Sequence, residues 1–152
     1  MTMLSVETLT EGSVTQQAMG RLMVQTQGQG FTELTEPVAR WVLGTGITHG
    51  VLTVFCRHTS ASLLIQENAD PDVRRDLLTA FERLAPRNAG YVHSTEGPDD
   101  MPAHIRTVLS GISLTIPVTE GQMVLGTWQG LFLVEHRDIP HQRDILLHLL
   151  GA

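Results

Sequence analysis

From Gly50 to Cys56 the chain reads Gly-Val-Leu-Thr-Val-Phe-Cys, apolar or β-branched at both parities. Such a run predicts a strand covered on both faces of a sheet. The polar tract Arg57-His58-Thr59-Ser60 ends it, and Ser62 to Gln66 reads as a second short strand. Asp70 then stands at a helix N-cap, Pro71 at the first helical position and Asp72 in the first turn. Val73, Leu77, Phe81 and Leu84 follow as one apolar stripe. Upstream, Arg-Leu-Met-Val-Gln-Thr-Gln from Arg21 alternates as a strand. Leu34, Val38, Trp41 and Val42 recur at helical spacing, which predicts a helix over residues 35–43 stopped by Gly44 and Gly46. Residues 1–19, rich in Thr, Ser and Gln without a sustained period, read as a poorly ordered extension, and residues 20–152 as one domain.

Past Asn88 a polar stretch, Tyr-Val-His-Ser-Thr-Glu-Gly-Pro-Asp-Asp-Met-Pro, is too long for a simple turn, and long loops in compact domains are commonly functional or mobile. Pro102 to Ser110 predicts a short helix with Ile105, Val108 and Leu109 inward and Gly111 as its stop. Ser113 to Val118 and Met123 to His136 read as strands joined by a Thr119-Glu120-Gly121-Gln122 hairpin, and Ile-Leu-Leu-His-Leu-Leu-Gly closes the chain as another strand. Strands outnumber helices, and the last three succeed one another without a helix between. That order predicts an α+β fold with a twisted, largely antiparallel sheet and a few short helices.

Composition narrows the chemistry. All ten cations of the 152 residues are arginine, against sixteen acidic residues, for a net charge of −6. Without lysine there is no GK[ST] phosphate loop, no lysine Schiff base and no lysine general base. An acidic chain also lacks the basic face that nucleic acid needs. No apolar run is long enough for a membrane-spanning helix, and the N-terminus has no signal-peptide pattern. One cysteine, Cys56, can form neither an internal disulfide nor a multi-thiolate zinc site, so the expected location is cytoplasmic. Seven histidines then carry much of the available polar chemistry.

The candidate residues fall in three tracts. His58 shares parity with Leu52, Val54 and Cys56 but lies at the rim of their strand, where a histidine bonded to backbone is the plainer reading. In the second tract, Asp100 and His104 are four apart at a helix start, so they lie on one face, and His93 arrives from the preceding loop with Glu96 and Asp99 nearby. Imidazoles with carboxylates suit a divalent metal, although this spacing matches no standard zinc pattern. The alternative is a helix-capping Asp100 with both histidines solvated. In the third tract Thr127 and Gln129 share one parity between Gly126 and Gly130, which marks a bulge or a close backbone approach. Trp128 reads better as a core or interface anchor, His148 and Cys56 as packing, and Arg137 and Arg143 as potential phosphate clamps.

Three segments, RHTSASLLIQENADPDVRRDL, YVHSTEGPDDMPAHI and GTWQGLFLVEHR, together and in this order resemble the YjbQ family over about Arg21 to Gly151. The resemblance implies an α+β fold, a homotrimer with polar pockets near subunit boundaries, and a secondary thiamine-phosphate synthase activity. That reaction couples hydroxymethylpyrimidine diphosphate to thiazole phosphate and releases pyrophosphate. Carried onto this chain, it implies His58, Glu67, His93, His104 and Gln129 as site residues, with the three histidines as metal ligands; Glu67 and Gln129, joined by Asp100 from the helix start, are the expected catalytic groups. Thr59, Ser60, Thr127 and Arg143 would hold the phosphates of a small phosphorylated substrate. Zinc or another transition metal suits such histidines, while magnesium would serve a diphosphate. The competing expectations are a non-catalytic trimeric protein that binds a metabolite or anion, and a metal-dependent hydrolase.

Overall fold

The structure is a computed structural model that describes residues 3–152. The elements run β1 (Gln16–Gln25), β2 (Gly30–Glu33), α1 (Thr35–Thr45), β3 (Gly50–Cys56), β4 (Ala61–Glu67), α2 (Pro71–Leu84) and α3 (Asp100–Ser110). They continue with β5 (Ser113–Thr119), β6 (Gln122–Met123), β7 (Gln129–Glu135) and β8 (Gln142–Gly151). This is the expected α+β class, with the strands divided between two sheets rather than one. The larger sheet has the order β1-β8-β3-β5-β6 and the smaller β2-β7-β4. Every described strand pair is antiparallel. Pairing starts at Gln16, so residues 16–19 of the expected extension belong to β1.

The core lies between the sheets. Leu52, Val54 and Cys56 of β3, Ile145, Leu147 and Leu149 of β8, and Leu63, Leu131 and Leu133 of the smaller sheet form one buried cluster. Val38 and Val42 of α1 join it. Truncating one of these leucines to alanine costs about 2–5 kcal/mol, because the cavity left behind closes only in part. Gly50 and Gly151 face each other across β3 and β8, and a Cβ on Gly151 would lie 1.9 Å from the His49 carbonyl oxygen. Only glycine permits that backbone approach.

The other face of the smaller sheet is covered too. Phe132 and Val134 are buried on it, the Phe81 ring of α2 packs edge-on against His136, and Arg74 lies over Phe132. The apolar run of β7 therefore reflects a strand buried on both sides, as parity predicts for a middle layer.

Two expectations change. The predicted strand Met123 to His136 is two strands in different sheets, separated by a turn at Gly126–Trp128 in which Gln129 Oε1 accepts the Gly126 N–H at 2.8 Å. The helix α3 is also rolled about its axis. Asp100, Arg106 and Thr107 are buried, while Val108 is 84% and Leu109 56% exposed. The reason lies in the surface beneath it, where Ser62 and His136 are polar. Ser62 Oγ lies 3.0 Å from Ser110 Oγ and 2.8 Å from His136 Nε2, and Ser110 Oγ donates to the Arg106 carbonyl. A buried polar sheet face needs hydrogen-bonding partners, and α3 supplies them by turning its polar side inward.

Candidate metal centre

The first turn of α3 carries the densest polar cluster. Asp99 occupies its N-cap without a side-chain cap bond, because its carboxylate is engaged elsewhere. Asp99 Oδ2 accepts Arg137 Nε at 2.8 Å and the Asp138 N–H at 2.9 Å, which ties the helix start to the end of β7. Asp100 follows, 3% exposed, and its two oxygens face different partners. Oδ1 pairs with Arg137 Nη1 at 2.8 Å, whereas Oδ2 lies 2.6 Å from His93 Nε2 and 3.1 Å from His104 Nε2. Glu96 Oε2 lies 3.2 Å from the same His93 nitrogen.

The loop reaches this geometry through specific contacts. Tyr91 donates to the Pro86 carbonyl at 2.7 Å, and Arg137 Nη2 donates to the Glu96 carbonyl at 3.0 Å. Gly97 has φ +106°, and a Cβ there would stand 3.0 Å from Asp99 Oδ1, so a side chain would meet both backbone strain and the buried carboxylate.

His104 fixes the proton logic. Its Nδ1 lies 2.8 Å from the Thr59 carbonyl oxygen, and a carbonyl can only accept, so the proton is on Nδ1. In the neutral ring Nε2 then presents a lone pair toward Asp100 Oδ2 at 3.1 Å. Two lone pairs facing each other call for a positive species between them, either a second proton on the imidazole or a metal ion. Hydrogen bonding to Asp100, together with that carboxylate's charge and Glu96, raises the His93 pKa. Burial works to raise the Asp100 pKa, but the His93 hydrogen bond and the His104 and Arg137 charges outweigh it and hold the carboxyl below its usual range.

One ligand atom from each of His93, Glu96, Asp100 and His104 lies within 4.8 Å of all the others. Donors about 2.1 Å from a tetrahedral ion stand roughly 3.4 Å apart, so small side-chain adjustments would close these four on one cation. Beside them a cavity of about 80 Å³ is lined by Arg87, Tyr91, His93 and Ser94, among others. A larger cavity, of about 410 Å³, lies away from this chemistry, between residues 10–14 and the chain end at Gly151 and Ala152.

The other expected site residues are elsewhere. His58 does not join His93 and His104: its Nε2 accepts the Asp144 backbone N–H at 2.8 Å, the plainer of its two readings. Arg143 is buried in an ion pair with Glu135 and donates to Ser60 Oγ at 3.0 Å, so both Arg143 and Ser60 are occupied within the protein. Glu67 Oε2 accepts the Asp70 N–H at the start of α2, and Gln129 closes the Gly126 turn. Thr59 contributes its carbonyl to His104, while Thr127 and Trp128 are exposed. Cys56 is inert packing, its thiol pKa pushed up to about 11 chiefly by burial. Nothing local in the sequence links Arg137 to Asp100, and only the folded chain brings the two together.

The YjbQ-like UPF0047 family profile matches residues 20–152. A UPF0047 protein of Synechocystis is 51% identical over 131 residues, 86% of this chain and 89% of that protein. YjbQ of Salmonella typhimurium is 43% identical over 124 residues, 81% of this chain and 90% of its own length. An uncharacterized YjbQ/UPF0047 crystal structure from Clostridium acetobutylicum superposes with a TM-score of 0.79 at 36% identity, covering 85% of this chain and 98% of that one. The fold is shared with a YbjQ-like protein of unknown function from Sulfolobus solfataricus, with a TM-score of 0.81, 24% identity and coverage of 90% and 100%. These descriptions overturn the expected metal-dependent thiamine-phosphate synthase. The relatives stand as proteins of unknown function, and likeness to them implies neither that activity, nor a transferase, nor metal binding.

Proposed function

This chain belongs to the YjbQ-like UPF0047 family, and from its own geometry we propose that it binds a divalent transition-metal ion through His93, Asp100 and His104, with Glu96 as a fourth donor. The observation that carries this reading is the orientation of His104. Its Nδ1–H is spent on the Thr59 carbonyl, which leaves Nε2 as a lone pair aimed at the carboxylate that also meets His93. Metal-ligating histidines characteristically donate their other ring N–H to a carbonyl or carboxylate in this way. Two imidazoles with two carboxylates favour zinc, manganese, iron or nickel over magnesium, which prefers an oxygen shell. Such an ion would supply Lewis acidity. Tyr91 and Ser94 border the small cavity beside this site, whereas Arg87 on the same wall is already paired with Asp138.

Metal analysis of the protein purified without added metal, beside a His93→Ala/His104→Ala variant, tests this directly. Near-stoichiometric metal in the parent and loss of it in the variant are expected. Equal metal content in the two proteins refutes the site.

Self-association is assigned to the outer face of the larger sheet, with the homotrimer implied by the family resemblance as the expected state. Met19, Met23, Val51, Phe55 and Leu150 are exposed there, and Val51 is directly opposite Leu150 in register. These side chains share the face with the Arg21–Asp144 and Arg57–Asp144 ion pairs, and a mixed face with exposed apolar groups of this kind favours burial against another chain. A reducing, cytoplasmic setting agrees with the single buried thiol, and no described helix is long and apolar enough to cross a membrane.

A further inference from the structure

Arg106 is not explained by the metal centre. It leaves the inward face of α3 and is 2% exposed, yet among the described residues it forms no ion pair. Nη1 donates to Gln29 Oε1 at 3.3 Å and Nη2 to the Ala85 carbonyl at 3.1 Å. Both acceptors are neutral, and Nε has no partner at all. The Ala85 bond ties α3 to the end of α2 and the Gln29 bond ties it to the segment before β2, but a neutral amide could make both equally well. They do not account for the charge. Burial disfavours the Arg106 charge, and the Glu82 and Asp138 carboxylates offset this only through space, without pairing with it. A buried cation with no paired counter-ion is costly.

The same side chain helps wall a cavity of about 290 Å³ together with Glu82, Pro86 and Arg87. Arg87 is held by a two-bond pair with Asp138, so a second guanidinium stands fixed at the cavity wall. Glu82 is the only carboxylate of that wall; it is exposed and forms no ion pair with Arg106, on which it acts only through space. The volume is at the lower edge of what small-molecule sites occupy, enough for a compact metabolite rather than a chain.

We propose that this cavity is an anion site, separate from the metal centre, for a small metabolite whose carboxylate or phosphoryl group supplies the counter-charge Arg106 lacks. The planar fork of a guanidinium matches either oxyanion, and burial strengthens the interaction relative to water. Pro86 gives the cavity an apolar wall for the rest of such a molecule. Glu82 sets the selectivity against highly charged ligands, since each further negative charge would meet it.

The test uses the full-length protein stripped of metal, titrated calorimetrically with inorganic phosphate and, separately, acetate as probes. Saturable binding of at least one probe is expected, weakened about tenfold or more in Arg106→Gln, which retains an amide for the Ala85 and Gln29 contacts. Glu82→Gln, an exposed substitution that leaves folding intact, is expected to tighten binding several-fold by removing the competing carboxylate. The His93→Ala/His104→Ala variant is expected to bind the probes unchanged, so this proposal and the metal reading fail separately. No saturable binding of either probe overturns the inference. So does binding insensitive to Glu82→Gln, or binding lost only in the double-histidine variant. If Arg106→Gln does not fold, the Glu82→Gln titration decides.

Discussion

Arg137 Nη1 holds Asp100 Oδ1 at 2.8 Å, and this pair decides which carboxylate oxygen faces the histidines. With Oδ1 engaged, Oδ2 alone is presented to His93 and His104. Arg137 is itself braced by Asp99 and the Glu96 carbonyl, so the carboxylate has little freedom to turn. Arg137→Gln is therefore expected to weaken metal binding by about 10–100-fold, the usual cost of losing a partner that orients a ligand. Competition against a chromogenic chelator measures it. Affinity equal to that of the parent would mean that Asp100 needs no orienting partner.

The buried pair Glu135–Arg143 is structural. Glu135 also accepts the Thr26 hydroxyl at 2.8 Å, and Arg143 Nη2 reaches the Ser60 carbonyl and hydroxyl. Arg143→Met strands a carboxylate in the interior and is expected to cost about 3–5 kcal/mol of stability in urea unfolding. Adding Glu135→Leu is expected to restore much of that loss. A double variant no more stable than the single one would show that shape, not charge, dominates there.

His136 gives the fold a pH limit. Burial, then the nearby Arg106 charge, push its pKa down from 6.5 to about 4. Between those values the unfolded chain binds the proton and the folded one refuses it, so stability is full above about pH 6.5 and falls as the pH drops toward 4. The integrated effect is about 3 kcal/mol. Chemical denaturation across that range should show the slope in the parent and a flatter profile in His136→Gln. Identical profiles would remove His136 from the account.

Phe55 lies near the centre of the exposed sheet face, opposite Leu146 and Ser113 in its neighbouring strands. Phe55→Glu is expected to shift light-scattering mass toward a monomer without loss of circular dichroism. A mass unchanged from the parent would direct attention to another surface.

Local chemistry made much of the fold legible. The Asp70 N-cap, whose side chain accepts the Asp72 N–H at 2.9 Å, and Pro71 in the first turn start α2 where the sequence places them. The apolar run of β3 and the Glu120-Gly121 turn between β5 and β6 form as patterned. Periodicity failed where the surroundings were polar. Val108 and Leu109 look like core residues to any helical pattern, but α3 meets a sheet face carrying Ser62 and His136 and turns Arg106 and Thr107 toward it. The stripe on α2 is likewise only partly used, with Phe81 buried and Leu84 exposed.

What the sequence determined by itself is therefore most of the strands and helices, though not β2 at Gly30–Glu33, together with the antiparallel α+β character and the local pairing of Asp100 with His104 one helical turn apart. These depend on interactions within a few residues, which composition and spacing express directly. Tertiary structure alone decided that Met123 to His136 divides between two sheets, that His58 serves the Asp144 backbone, and that Arg143 meets Glu135 rather than a phosphate. It also brought Arg137 to Asp100 and left Arg106 without an anion. Each of these depends on which surfaces the packed layers bring together, and buried charges and lone pairs take the partners that packing puts within reach.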